Sequence, residues 1–196
     1  MGKLIRLALV LGVITCVAGA ALAYIHSITL DPIEYAKINQ VKAPAVAEVF
    51  AEIELDNDPV KDRQKIVVGK DKRGRDVAVY AFPAKKGGAV VAVAIETFGL
   101  GYNENLGVMT AIVIDDEGEH EIIAIAITSH SETPGKGDAV EKAGFRDQFK
   151  GLSVGEAVAS GRIDAISGAT MSTNGVIEAV NAAIEIFNQN RSDLTS

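Results

Sequence analysis

Residues 89–130 read AVVAVAIETFGLGYNENLGVMTAIVIDDEGEHEIIAIAITSH, and this stretch decides the fold. Three β-branched or alternating apolar runs, Ala89–Gly99, Gly107–Asp115 and Glu121–His130, are separated by a glycine-containing segment and by a charged turn. Alternation at a period of two puts successive side chains on opposite faces of a sheet, and turn residues between runs bring the chain back alongside itself. Two runs upstream, Lys65–Gly69 and Val77–Phe82, repeat the pattern, with turn signals at Asp71–Asp76 and Lys85–Gly88. The expectation is an antiparallel meander.

Downstream the period changes from two to 3.6. Val176, Ile177, Val180, Ala183, Ile184 and Phe187 fall on one stripe while Glu178, Asn181 and Glu185 face away, which predicts an amphipathic helix. Further helices are expected over Asp138–Phe149 and over Val154–Ser160, the latter ending at Gly161. Upstream of the meander, Glu54–Gln64 reads as a polar loop, and the stretch before it as a helical segment broken or kinked near Pro44. The fold class is therefore α+β, with helices packed against a mainly antiparallel sheet.

Length and composition agree. The chain has 196 residues, 48% of them hydrophobic, enough for one domain with a real core plus an appendage. The appendage is Leu7–Ile25, a run of 19 uncharged residues that reaches about 28 Å as a helix, close to the hydrocarbon thickness of a bilayer. Lys3 and Arg6 are the only charges before it, so the positive-inside rule places the N-terminus in the cytoplasm and the rest of the chain on the outer face. Ala21-Leu22-Ala23 has the form of a signal-peptide cleavage site, but the apolar run is longer than a usual signal core, which favours a retained single-pass span in the cell membrane. Ala8, Gly12, Cys16 and Ala20 form a strip of small side chains along it, suited to a partner helix. The expected organisation is a cytoplasmic N-terminus at 1–6, a transmembrane helix at 7–25, a connector and helical segment at 26–60, and one domain at 61–196.

Several functions are excluded. Net charge is −7, and −9 without Lys3 and Arg6, which argues against nucleic acid and against anionic headgroups as partners. Cys16 is the only cysteine and lies in the span, so the chain alone builds no disulfide and no thiolate-ligated metal centre. His26, His120 and His130 are too scattered to suggest a metal site. Gly99-Leu100-Gly101 begins like a dinucleotide fingerprint, but Glu104 stands where its third glycine belongs, and neither a P-loop nor a G-x-S-x-G elbow occurs.

What remains is Ser167-Gly168-Ala169-Thr170, small residues between the hydrophobic piece Ile163–Ile166 and the final helix, which Ser172 or Thr173 would cap. Unpaired N–H groups and the positive end of the helix dipole favour an anion such as phosphate there, and glycine and alanine let it approach the backbone. A plain helix cap is the competing reading. Glu132 and Asp164 have the look of a carboxylate pair, but the structural reading is preferred: Glu132 orients its own Pro-Gly turn, and Asp164 the backbone before Ser167. No residue suggests general acid or base catalysis.

The stretch Asp164–Thr170, DAISGAT, resembles the D-x-x-[ST]-G-A-T signature of the FMN-binding domain shared by the G subunit of the Rnf electron-transport complex and the C subunit of the sodium-pumping NADH:quinone reductase. His130–Gly137, HSETPGKG, is similar to the family's H-x-E-T-P-G-L-G segment, with Lys136 in place of leucine. A lysine there either lies near the flavin, favouring its anionic reduced form, or points to solvent. Gly101–Leu106, GYNENL, resembles the family's G-Y-x-x-x-[IL] loop without its Gly-Pro pair.

The resemblance, closest to the Rnf G subunit, implies FMN joined by a phosphoester to Thr170, with Ser167, Gly168 and Ala169 beside it and Glu132, Thr133, Pro134 and Gly135 against the flavin. It further implies an electron-relay role in a complex coupling ferredoxin and NAD chemistry to Na⁺ or H⁺ movement. Iron-sulfur and flavin subunits would be the partners, and an FAD-dependent flavin transferase would load Thr170. The C subunit of the quinone reductase and a non-redox membrane-anchored binding or assembly module are the alternatives.

Overall fold

A computed structural model of the chain describes residues 2–70, 74–115 and 119–195, so the charged turns expected at 71–76 and 115–120 fall partly outside the described residues. The chain divides into two compact units, Met1–Gln40 and Val41–Ser196. The first is dominated by one helix, α1 (Gly2–Lys37). Within it Ile5–Thr29 is an unbroken apolar stretch of 25 residues, long enough to cross a membrane and containing the expected span. Leu7, Leu11, Val17 and Leu22 are all exposed. Its serine and threonine hydroxyls are satisfied inside the helix: Thr15 Oγ1 donates to the Leu11 and Gly12 carbonyls, Ser27 Oγ to that of Tyr24, and Thr29 Oγ1 to that of Ile25. A helix surrounded by hydrocarbon needs that economy, because no water is there to take the bond.

A π-helical turn, Ile38–Lys42, precedes α2 (Ala43–Val49), whose first turn accommodates Pro44, so the helical stretch is interrupted near that proline as expected.

The sheet of the second unit is the expected meander: β1 (Gln64–Lys70), β2 (Asp76–Lys86), β3 (Ala89–Leu100), β4 (Asn105–Val113) and β5 (Glu121–Ser129), each antiparallel to the next, in that spatial order. Both faces are covered. On one, alanines at 84, 92, 94, 111 and 126 surround Phe82 and Met109, and this low surface receives Val46, Val49 and Phe50 from α2 and the turn after it. Lys42 Nζ reaches Glu96 Oε2 on the same face at 2.8 Å, pairing a carboxylate that is otherwise buried. Arg146 and Lys150 form ion pairs with Glu48 and Glu52, fastening α2 and its following turn from a second side.

The other face carries larger side chains, among them Val93, Ile95, Val108 and Ile125, and packs against α4 (Thr170–Gln189) through its stripe from Val176 to Phe187. Helix and strand approach unusually closely where Gly175 meets the end of β3. A Cβ on Gly175 would lie 2.6 Å from the Leu100 carbonyl oxygen. Thr97 Oγ1 donates to the Ala179 carbonyl at 2.6 Å, and Glu178 Oε2 accepts from the Leu100 amide at 3.0 Å, so the middle of α4 is fixed to the end of β3.

Two expected helices are replaced. Over 138–149 the chain forms a 3₁₀ turn (Gly137–Glu141), the short α3 (Ala143–Arg146) and a further 3₁₀ turn (Asp147–Phe149), because Lys142 is extended and breaks the run so that Val140, Phe145 and Phe149 can all enter the core. Residues 154–159 are not helical, and a 3₁₀ turn follows at Ser160–Arg162. Side chains of α4 take over the backbone bonds that a helix there would have made. Asn188 Nδ2 donates to the Val154 carbonyl, while Asn181 both donates to the Val158 carbonyl and accepts from its amide. The short α5 (Arg191–Leu194) ends the chain by burying Leu194.

Candidate functional site

The beginning of α4 differs from the expected cap. The helix starts at Thr170, the N-cap position is Ala169, and no side chain caps it. Ser172 and Thr173 lie inside the first turn, and each has another partner. Ser172 Oγ donates to Glu132 Oε2 at 2.6 Å, and Thr173 Oγ1 accepts from the Ile166 amide at 3.2 Å. Among the described residues no side chain caps the first-turn amides, which have no acceptor within the helix. Gly168 makes the sharp entry possible with φ +77°, a conformation that L side chains rarely adopt. Thr170 is exposed, and its hydroxyl is bonded to none of the described residues.

In front of this terminus lies a cleft of about 500 Å³, lined by Tyr102, by Glu132, Thr133, Lys136 and Gly137, and by Gly168 through Ser172. The structure therefore brings the 130–137 segment to the start of α4, although some forty residues separate them in sequence. Thr133–Lys136 is a tight turn closed by the Lys136 amide on the Thr133 carbonyl at 3.1 Å, with Pro134 and then Gly135 at φ +76° at its centre. Pro134 and Gly135 shape the turn but do not line the cleft, and neither does Ser167. Lys136 is exposed and at the same time on the cleft wall. Met171 had no signal in the sequence, and Tyr102 only its place after Gly101.

Glu132 is where the site is knitted together. It is 6% exposed, and its two oxygens are both taken: Oε1 by the Tyr102 amide at 2.8 Å and Oε2 by Ser172. It does not orient its own Pro-Gly turn, as expected from sequence, but ties the 101–104 loop to α4. Its own amide donates to His130 Nδ1 at 3.1 Å, which fixes the proton on Nε2, facing Glu141 Oε1 at 2.9 Å. Asp164 likewise departs from its expected role. Its backbone, not its carboxylate, is held, by Gln148 Oε1 accepting the Asp164 amide at 2.6 Å, and the backbone before Ser167 is oriented by Thr173 instead.

Chemically the site offers an anion-accepting helix start, a free hydroxyl, one lysine and an aromatic wall. Among the described residues no cluster of His, Cys, Asp or Glu could hold a metal ion.

Comparison with known proteins gives this geometry a family. Residues 101–185, which include the whole cleft, match the FMN-binding domain. The chain is 30% identical to the G subunit of the ion-translocating oxidoreductase complex of Cereibacter sphaeroides, over 95% of this chain and 85% of the relative. It is 32% identical to the G subunit of the Na(+)-translocating ferredoxin:NAD(+) oxidoreductase complex of Acetobacterium woodii, over 93% and 90% respectively. In fold it resembles the crystal structure of Shewanella oneidensis NqrC, with a TM-score of 0.56 at 18% identity over 81% of this chain and 99% of that one. The C subunit of the Na(+)-translocating NADH-quinone reductase of Parabacteroides distasonis gives 0.51 at 18% identity, over 85% and 98%. With its cleft inside the matched domain and its similarity running nearly end to end, the chain belongs to the family of G subunits of ion-translocating oxidoreductase complexes.

Proposed function

We propose that this chain is the electron-relay subunit of a membrane-bound Rnf-type complex, carrying FMN esterified to Thr170, in which ferredoxin and NAD redox chemistry drives Na⁺ or H⁺ across the membrane. The observation that carries the reading is the free Thr170 hydroxyl at the uncapped start of α4, opening into the cleft formed with the 132–137 segment. The residues fit the group. First-turn amides and the helix dipole suit a phosphate, Gly168 and Ala169 leave room for it, and Tyr102, Thr133 and Lys136 offer the walls against which a ring can lie. When bound, FMN supplies the electron-carrying chemistry, and the chain supplies attachment, orientation and local charge.

A covalent link makes retention independent of affinity, which suits a domain on the outer face of a membrane, where lost FMN is not replaced. Loading requires an FAD-dependent transferase: the Thr170 oxygen–phosphorus bond forms, the phosphoanhydride of FAD breaks, AMP leaves and the hydroxyl proton is released. The apolar stretch of α1 anchors the chain, with Lys3 and Arg6 holding its N-terminus in the cytoplasm. Tyr102 and Met171 are exposed and line the cleft, and Phe98 and Leu100, on the strand leading to Tyr102, are exposed too, apolar surface suited to neighbouring subunits of the complex.

The test is direct. The full-length chain, produced with a flavin transferase, is denatured and run on a gel, where a yellow-green fluorescent band is expected and is lost in Thr170→Ala. A dark wild-type band, or a bright variant band, overturns the assignment.

A further inference from the structure

Within the stretch 167–173 there are hydroxyls at Ser167, Thr170, Ser172 and Thr173. A transferase that acts on a hydroxyl must meet one of them and not the others, and burial does much of the sorting. Ser172 and Thr173 are each 1% exposed. Thr173 is held by the Ile166 amide on its own segment, but Ser172 is held from across the fold by Glu132.

Each carboxylate oxygen of Glu132 already accepts from the protein, Oε1 from the Tyr102 amide and Oε2 from Ser172, in a side chain that is buried. Its surroundings are built for it. A Cβ on Gly137 would come within 2.8 Å of both Glu132 Cβ and Ser172 Oγ, and one on Gly101 would collide with Glu132 Oε1, so a glycine on each side is what admits the side chain. The 101 loop is itself closed, by the Gly101 amide on the Glu104 carbonyl at 2.9 Å and by Asn103 Nδ2 on the Ser131 carbonyl at 2.7 Å. The carboxylate thus links two rigid turns to one turn of helix. Losing it frees Ser172 to rotate and the first turn of α4 to shift.

We propose that Glu132 is a positioning residue: by holding Ser172 inward and the Tyr102 amide in place, it fixes the start of α4 so that Thr170 Oγ1 is the hydroxyl presented for flavin attachment. This rests on the reading of Thr170 as the attachment point, and it assigns Glu132 a part in the loading step that acts through Ser172 and the Tyr102 amide.

The test uses the full-length chain incubated with a flavin transferase and FAD, with peptide mass spectrometry reporting how much flavin is attached and where. Thermal melting of the flavin-free chain confirms folding at the assay temperature. Glu132→Ala is expected to slow loading at Thr170 by about tenfold or more, since a displacement near 1 Å is enough for losses of that order. Glu132→Gln keeps an acceptor for Tyr102 and turns a donor toward Ser172, and is expected to recover loading to within about threefold. Ser172→Ala, which removes little volume, is expected to slow loading as Glu132→Ala does, and the double variant no further. Should Glu132→Ala fail to fold, Ser172→Ala and Glu132→Gln carry the test. Wild-type loading rates in folded Glu132→Ala or in Ser172→Ala, or no recovery in Glu132→Gln, overturn the positioning role while the attachment reading stands. Flavin that persists in Thr170→Ala overturns the attachment reading instead.

Discussion

The two long helices of this chain, α1 and α4, use the same kinds of residue in opposite ways. In α1 the large side chains face outward, the hydroxyl of Thr15 folds back onto its own helix, and a methyl group added at Gly12 or Gly19 would meet nothing within 4 Å. In α4 the large side chains face a sheet, the hydroxyl of Ser172 reaches a distant segment, and Gly175 is pressed against the end of β3. One helix is built to be self-sufficient in a medium that offers no hydrogen bonds, the other to be finished by its neighbours. The proposed chemistry belongs to the second kind, where the finishing is left incomplete at Thr170.

Matched substitutions in the two helices test that contrast. The largest difference is expected for threonine. Thr170→Ala abolishes covalent flavin, while Thr15→Ala leaves it at the wild-type level, both read as in-gel fluorescence. An aspartate introduced into each helix separates anchoring from folding. Val13→Asp costs about 2.5–3.5 kcal/mol of membrane insertion, so carbonate extraction releases the chain while the C-terminal domain still melts cooperatively. Val180→Asp, at a position with no exposure, leaves membrane retention intact and removes that melting transition.

Glycine gives a smaller contrast. Gly175→Ala places a methyl group 2.6 Å from the Leu100 carbonyl oxygen and is expected to cost about 1–3 kcal/mol in urea unfolding of the domain. Gly12→Ala leaves that transition unchanged.

The smallest effect concerns the far end of α4, where the His120 ring packs edge-on to Phe187 at 5.3 Å. Burial, reinforced by the Arg191 guanidinium, holds the imidazole below its ordinary value. Above about pH 6.5 folded and unfolded chains both keep it neutral. Below that the unfolded chain takes up a proton that the folded chain resists, so stability falls with falling pH. Urea midpoints measured from pH 7 down to pH 5 are expected to decline less steeply in His120→Gln, and an unchanged slope refutes the assignment.

What the sequence made legible was whatever depends on local period. Alternation located all five strands, and the apolar stripe located α4, because burial of one face is written directly into residue order. The helix expected at 154–160 failed because Asn181 and Asn188, far along the chain, satisfy that segment's backbone in an extended form. The cap expected from Ser172 or Thr173 failed for a similar reason, since both hydroxyls have partners outside the first turn. The motifs indicated which residues gather near Thr170, but the way Glu132 joins them runs through the Tyr102 amide and Ser172, and spacing carries no trace of such a bond.

The alanine-lined face beneath α2 bears on how the C-terminal domain can be handled as a water-soluble fragment. A chain cut to begin at residue 61 would shed α2 and expose Phe82, Met109 and their alanine surround, a flat apolar surface inviting self-association. One beginning at Val41 keeps α2 over that face and Lys42 beside Glu96, and is expected to stay monomeric where the shorter piece self-associates.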